Sequence, residues 1–198
     1  MKAKKIITVP NPLLRQKSAP IRSFGKKTRR LAQVLIETMN QTKKENQGVG
    51  LAAIQIGVQK QMLVLTGQLG GKAEIIINPQ IIWQDKKLAS GSRGLPVGRQ
   101  GRKTDYEGCL SVPGLWGIVK RSVKVKVKYQ DLKGNWQEKN FQDFLGRVIQ
   151  HEIDHLKGIL FVDRVMEQKS QLFQVQSKSV SGKSGKDQEN ELIEVTIK

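Results

Sequence analysis

The sequence predicts an α+β fold, on three observations: an alternating strand that opens a β-hairpin, a helix that is apolar around much of its circumference, and a separate amphipathic surface helix. At 198 residues, 37% of them hydrophobic, the chain is long enough for one ordinary domain with a core and short for two. Residues 1–176 read as that domain. Residues 177–198 read as a flexible linker ending in a short strand.

The elements follow in chain order. Leu31, Val34, Leu35 and Met39 fall at helical spacing within residues 28–42 and leave Lys and Arg on the opposite face, which predicts an amphipathic helix. Next comes Gly48-Val-Gly-Leu-Ala-Ala-Ile-Gln55, where two glycines beside small side chains let another group approach the backbone closely. Apolar runs at 61–66 and 74–83 read as strands, and Asn78-Pro79 predicts an edge, bend or bulge inside the second. Val123, Val125, Val127 and Tyr129 alternate with Lys124, Lys126 and Lys128, the period of a half-buried antiparallel strand. Asp131 to Asn135, with Gly134, then turns the chain into a partner strand at 136–141.

From Asp143 to Leu156, the residues Phe144, Leu145, Val148, Ile149, Ile153 and Leu156 cover much of a helix's surface, so this helix is expected to be buried, and Gly158 to end it. The stretches Ser90–Lys103 and Ser177–Glu191 are rich in Gly, Ser and Lys and read as flexible. The first of them lies in an expected basic insertion at 84–106, tolerated at the surface.

Lys and Arg outnumber Asp and Glu by 35 to 17, a net charge of +18. Residues 1–30 hold ten basic side chains and no acid, and such concentration points to a polyanionic neighbour such as RNA, or else to a solvated basic surface. No apolar run approaches the ~18 residues of a membrane span. The start, Met1-Lys-Ala-Lys-Lys, is not followed by the apolar stretch of a secretory signal, so no membrane partner and a cytoplasmic location are expected. A single cysteine rules out an internal disulfide, and makes the use of that thiol the question.

A buried helix carrying His151, Glu152, Asp154 and His155 must satisfy those groups internally, because each unpaired polar group costs about 1–3 kcal/mol. Metal coordination would do so. His151-Glu-Ile-Asp-His155 sets two imidazoles on one helical face, with Glu152 beside the first as a proton carrier. Both histidines of the chain are in this motif. A catalytic ion needs a third ligand. Asp163 or Glu167 downstream would make a protease-type site; Cys109, in Glu107-Gly-Cys-Leu-Ser-Val-Pro-Gly114, would make one of two nitrogens and a thiolate, with Gly108 letting the backbone pass close to the ion.

Three segments, Gly48–Gln55, Glu107-Gly-Cys-Leu-Ser111 and Gln150-His-Glu-Ile-Asp-His155, resemble in order and content the motifs of the peptide deformylases. The resemblance extends to Pro10-Asn-Pro-Leu-Leu-Arg15 and Leu156-Lys-Gly-Ile-Leu-Phe-Val-Asp-Arg164, and so covers most of residues 5–175. It implies antiparallel sheets packed around a central metal-binding helix. It further implies one divalent ion, Fe2+ with Zn2+ or another ion as a substitute, on Cys109, His151 and His155. The implied substrate is the N-formylmethionyl nascent peptide, from which formate is released. Glu152 would carry protons, and the Gln55 amide and the Leu110 backbone N–H would meet the oxyanion. Val49 and Gly50 would line one side of the methionine slot, and Phe144 and Val148, on the face of His151, the other. Glu107 would orient a ligand imidazole. Two rivals remain at this stage: a zincin-type metalloendopeptidase, and a catalytically silent basic protein that binds ribosomes or RNA.

Overall fold

A computed structural model describes residues 2–46, 48–66, 72–90, 106–179 and 188–195. A short 3-10 turn at Pro12–Arg15 precedes helix α1 (Lys26–Asn46). Strand β1 (Gly50–Ala52) runs into a second 3-10 turn at Ala53–Ile56. Strands β2 (Met62–Thr66), β3 (Ala73–Gln84), β4 (Leu88–Ser90), β5 (Tyr106–Cys109), β6 (Val112–Ile118), β7 (Lys120–Ser122), β8 (Lys124–Gln130) and β9 (Trp136–Gln142) follow. Helices α2 (Asp143–Leu156) and α3 (Phe161–Glu167) and strands β10 (Leu172–Ser179) and β11 (Gln188–Val195) complete the chain.

Three antiparallel sheets have the orders β1-β2-β3-β8-β9, β11-β10-β6-β5 and β4-β7. The large sheet is buried on both faces along part of its width. On one face α2 packs Val148, Ile149, Ile153 and Leu156 against Leu63, Leu65, Ile76, Val125, Val127 and Phe141. On the other, Leu35 and Met39 of α1 meet Met62, Val64, Ile75 and Ile77. This explains why β2 and the first half of β3 lack alternation: both of their faces are covered, as in a sheet layered by helices. β8 alternates because only its α2 face is covered. A third cluster, Leu14, Val112, Val119, Leu160, Phe161, Val165 and Leu172, joins α3 to the second sheet. Helix α2 thus lies at the centre of the molecule, as the fold class requires.

The predicted irregularity at Asn78-Pro79 is a bulge within a central strand. The β3–β8 register shifts between Ile77 and Gln80, Asn78 has φ of 50°, and its side chain bonds both the N–H and the carbonyl of Ile21. Gly158, at φ 76°, follows the end of α2, and a Cβ there would stand 2.4 Å from the Arg15 carbonyl oxygen.

Two expectations need correction. Of the insertion expected at 84–106, Gln84 closes β3, residues 88–90 form β4 paired with β7, and Tyr106 opens β5; residues 91–105 lie outside the described residues. Of the flexible stretch expected at 177–191, Ser177–Ser179 and Gln188–Glu191 are paired strand in the β10–β11 hairpin, and residues 180–187 are not described. Polar composition concealed both, because ladder hydrogen bonds are made by the backbone and need no apolar side chain. The terminal strand joins the second sheet, next to β10. Among the described residues no helix is long and apolar enough to cross a membrane.

Candidate metal centre

Helix α2 turns an apolar face to the large sheet, and its other sides carry His151 and His155, with Asp154 reaching Arg121 of β7 and Glu152 lying against Gly50 of β1, all four buried. Strand β5 ends on Cys109, and Leu110 and Ser111 turn the chain into β6. Cys109 Sγ lies 3.2 Å from His155 Nε2, and the two Nε2 atoms are 3.1 Å apart. Donors at ordinary Zn–N and Zn–S lengths around one tetrahedral ion would be about 3.3 and 3.5 Å apart, so three lone pairs converge as one ion requires.

Glu107 Oε1 sits 2.6 Å from His151 Nδ1. Accepting that proton fixes the tautomer and leaves Nε2 as the lone pair facing the cluster. The donor set therefore fits a divalent ion of intermediate softness. Asp163 and Glu167 are elsewhere: Asp163 accepts from the Leu160 N–H and pairs with Arg15, and Glu167 pairs with Arg164. The protease-type ligand set is thus not assembled.

Beneath the cluster lies a line of buried charge. Glu107 takes two hydrogen bonds from Arg121, at 2.7 and 2.8 Å; Arg121 also bonds Asp154 at 2.9 Å, and Arg164 bonds both oxygens of Asp154. Burial by itself would raise the Glu107 carboxyl, but the Arg121 charge and hydrogen bonds outweigh it and hold the group well below the usual carboxylate range. Glu152 has no such partner. Burial pushes its carboxyl up to about 7, and its Oε2, like His155 Nδ1, lacks a hydrogen-bond partner among the described residues. A carboxyl poised there is suited to moving protons near neutrality.

Gln55 is buried on the opposite wall. Its Oε1 accepts from the Ala52 N–H at 2.8 Å, which turns Nε2 toward Ser111 Oγ at 3.2 Å and Cys109 Sγ at 3.7 Å. Gly50 explains itself by distance: a Cβ there would lie 2.4 Å from Glu152 Oε1 and 2.8 Å from Val148 Cγ1. Val49, Phe144 and Val148 belong to one apolar cluster, and Leu110 packs against the neighbouring one. A Cβ at Gly108 would strike the Trp116 ring at 2.8 Å, so the cross-strand indole by itself demands the glycine.

Sequence reasoning missed Arg121 and Ser111. Arg121 stands in a Lys-rich stretch that looks like a solvated face, yet it is 7% exposed. Ser111 is fully buried, with its N–H 3.4 Å from Cys109 Sγ. Its place inside the Cys109 segment was the available signal.

A profile of the family described as "Polypeptide deformylase" matches residues 3–171. The peptide deformylase of Syntrophomonas wolfei is 41% identical over 169 residues, covering 84% of this chain and 96% of that one. Among solved structures, the peptide deformylase of Thermotoga maritima superposes with a TM-score of 0.70 at 32% identity, covering 83% of this chain and 98% of that one. A class I type b peptide deformylase of Acinetobacter baumannii, bound to Met-Ala-Ser, gives 0.68 at 31% identity, covering 82% and 98%. Motifs from three separate parts of the sequence meet at one buried site inside a match spanning most of the chain, and on that ground the chain belongs to the peptide deformylase family.

Proposed function

We propose that this deformylase hydrolyses the N-formyl group of the initiator methionine of nascent polypeptides, releasing formate, where β1, the β5–β6 turn and α2 meet. The observation that carries the reading is the convergence of Cys109 Sγ and the two Nε2 atoms beside a buried carboxyl. A divalent cation on these three residues supplies Lewis acidity that lowers the pKa of water toward neutrality. We assign it as ferrous iron from the family resemblance; the same ligands accept zinc.

Glu152 takes a proton from the water that adds to the formyl carbon. As the C–N bond breaks, Glu152 returns that proton to the leaving amine. The Gln55 amide and the Leu110 backbone N–H are assigned to the oxyanion. Gln55 is held for this task by the Ala52 N–H on its carbonyl oxygen, which directs its NH2 toward Ser111 Oγ and Cys109 Sγ at the cluster. Val49 and Gly50 on one side, with Phe144 and Val148 on the other, form the slot for the methionine side chain.

The test is formate release from formyl-Met-Ala-Ser. Glu152→Gln is expected to keep its metal and lose a factor on the order of 10² or more, whereas Cys109→Ser is expected to lose the metal itself. Near-normal turnover by the Gln variant would refute the assignment. We read residues 1–176 as the catalytic unit, a boundary near the end of the family match, with the remainder accessory. The charge of +18 supports association with ribosomes in the cytoplasm, where formylated chains emerge. Co-sedimentation that does not weaken with salt would argue against phosphate contacts.

A further inference from the structure

Helix α1 covers only part of its face of the large sheet. The buried cluster that α1 shares with this face includes Ile75 and Ile77 of β3 but no residue of β8 or β9, and beyond it the same face continues over the end of β3, β8 and β9. The register identifies what stands there. Ile77 is opposite Gln130, Gln80 opposite Lys128 and Trp83 opposite Lys126. Lys128 is in turn opposite Glu138, and Gln130 opposite Trp136. Cross-strand partners share a face, so Trp83, Lys126, Lys128 and Trp136 lie on one surface that no helix covers among the described residues. Both indoles are half exposed, at 51% and 50%, and Lys128 Nζ lies 5.1 Å from the centre of the Trp136 ring.

From these observations we infer that this face binds single-stranded RNA. Four residues along β8 and two strand spacings across separate the indoles by about 17 Å, a span of two to three stacked or splayed nucleotides. Aromatic rings set among basic side chains on a sheet are the platform on which single strands stack their bases while their phosphates meet the lysines. Glu138 opposes this from the same face, but it pairs with Lys126 at 2.7 Å on an exposed rim, where such pairs are weak and readily exchanged. Trp136 also walls a cavity of about 400 Å³ between the sheet and the approach to α1, whose other sides include Phe24, Arg22, Gln80 and Gln130. An aromatic pair, a guanidinium and the Gln80 carboxamide suit a base edge and its phosphate, while Gln130 is already bonded to Asn78 and Gly134. The charge balance favours a polyanion over a second copy of a chain carrying +18.

This inference deepens the nucleic-acid reading of the basic surface and is independent of the metal centre. The metal-loaded full chain is titrated with a labelled ten-nucleotide single-stranded RNA of mixed sequence. W83A/W136A is expected to weaken binding about tenfold or more, with the salt dependence kept. K126Q/K128Q is expected to weaken it and to flatten the salt dependence. Both variants should deformylate formyl-Met-Ala-Ser like the parent. RNA affinity unchanged in W83A/W136A overturns the proposal, as does the absence of RNA binding by the parent. A parental dimer that W83A/W136A converts to monomer, with RNA binding unaltered, overturns it in favour of a contact between copies. If both variants bind the RNA as the parent does and all three pellet with ribosomes, this face is excluded while the broader basic-surface reading stands.

Discussion

Glu107 Oε1 lies 2.6 Å from Nδ1 of His151, so the orientation of one candidate ligand on helix α2 is set from strand β5. Replacing Glu107 by Gln keeps the shape but offers either oxygen or NH2 to that nitrogen, and no charge. Metal affinity is expected to fall about 10- to 100-fold. Competition with a chromophoric chelator measures it. Unchanged affinity would leave Glu107 with a purely structural part.

Arg121 is the reason a carboxylate can stand there at all. It joins Glu107 to Asp154, with all three side chains at most 7% exposed. Arg121→Met strands the buried Glu107 carboxylate and leaves Asp154 to Arg164 alone, and the expected loss is about 3–5 kcal/mol, read from urea unfolding at pH 7. A loss below 1 kcal/mol would mean that the network carries little of the fold's stability.

The same network sets the response to acid. Glu107 is held low by Arg121 against its burial, and Asp154 is held low by hydrogen bonds from Arg164 and the Arg121 charge, again against burial. Groups with depressed folded pKa values contribute stability above their unfolded values, about 4, and lose it as pH falls through the folded ones. Unfolding of the metal-free protein should therefore become easier from about pH 5 downward. In Arg121→Met the decline should shrink, because protonation then relieves stranded charge. Equal slopes in the two proteins would discount the pairing.

Much of this was legible in the sequence where a pattern recorded one environment. The alternation of Val125, Val127 and Tyr129 marks a strand covered on one side, and the encircling apolar set of α2 marks a central helix. Cys109, His151 and His155 were identifiable because the chain has so few soft ligands. Arg121 was not, since a lysine neighbour on a three-residue strand carries no periodic signal and its partners come from β5 and α2. Nor was the β10–β11 hairpin, where pairing is written in the backbone rather than the side chains.

Gly50 offers the sharpest separation of chemistry from folding. Its backbone lies against the Glu152 carboxylate because there is no Cβ between them; a methyl built there stands 2.4 Å from Oε1 and 2.8 Å from Val148 Cγ1. Gly50→Ala must displace the carboxylate, the wall at Val148, or β1 itself. The three candidate ligands are not among those neighbours, so metal content should hold while turnover falls by a factor on the order of 10 to 100, the usual cost of misplacing a catalytic group by about 1 Å. Steady-state kinetics separate the causes. A rise in KM alone would place the methyl in the methionine slot, and a fall in kcat would place it against the proton carrier. Full activity in both parameters would show that β1 moves aside at no cost and that the approach of Gly50 to Glu152 has no role in turnover.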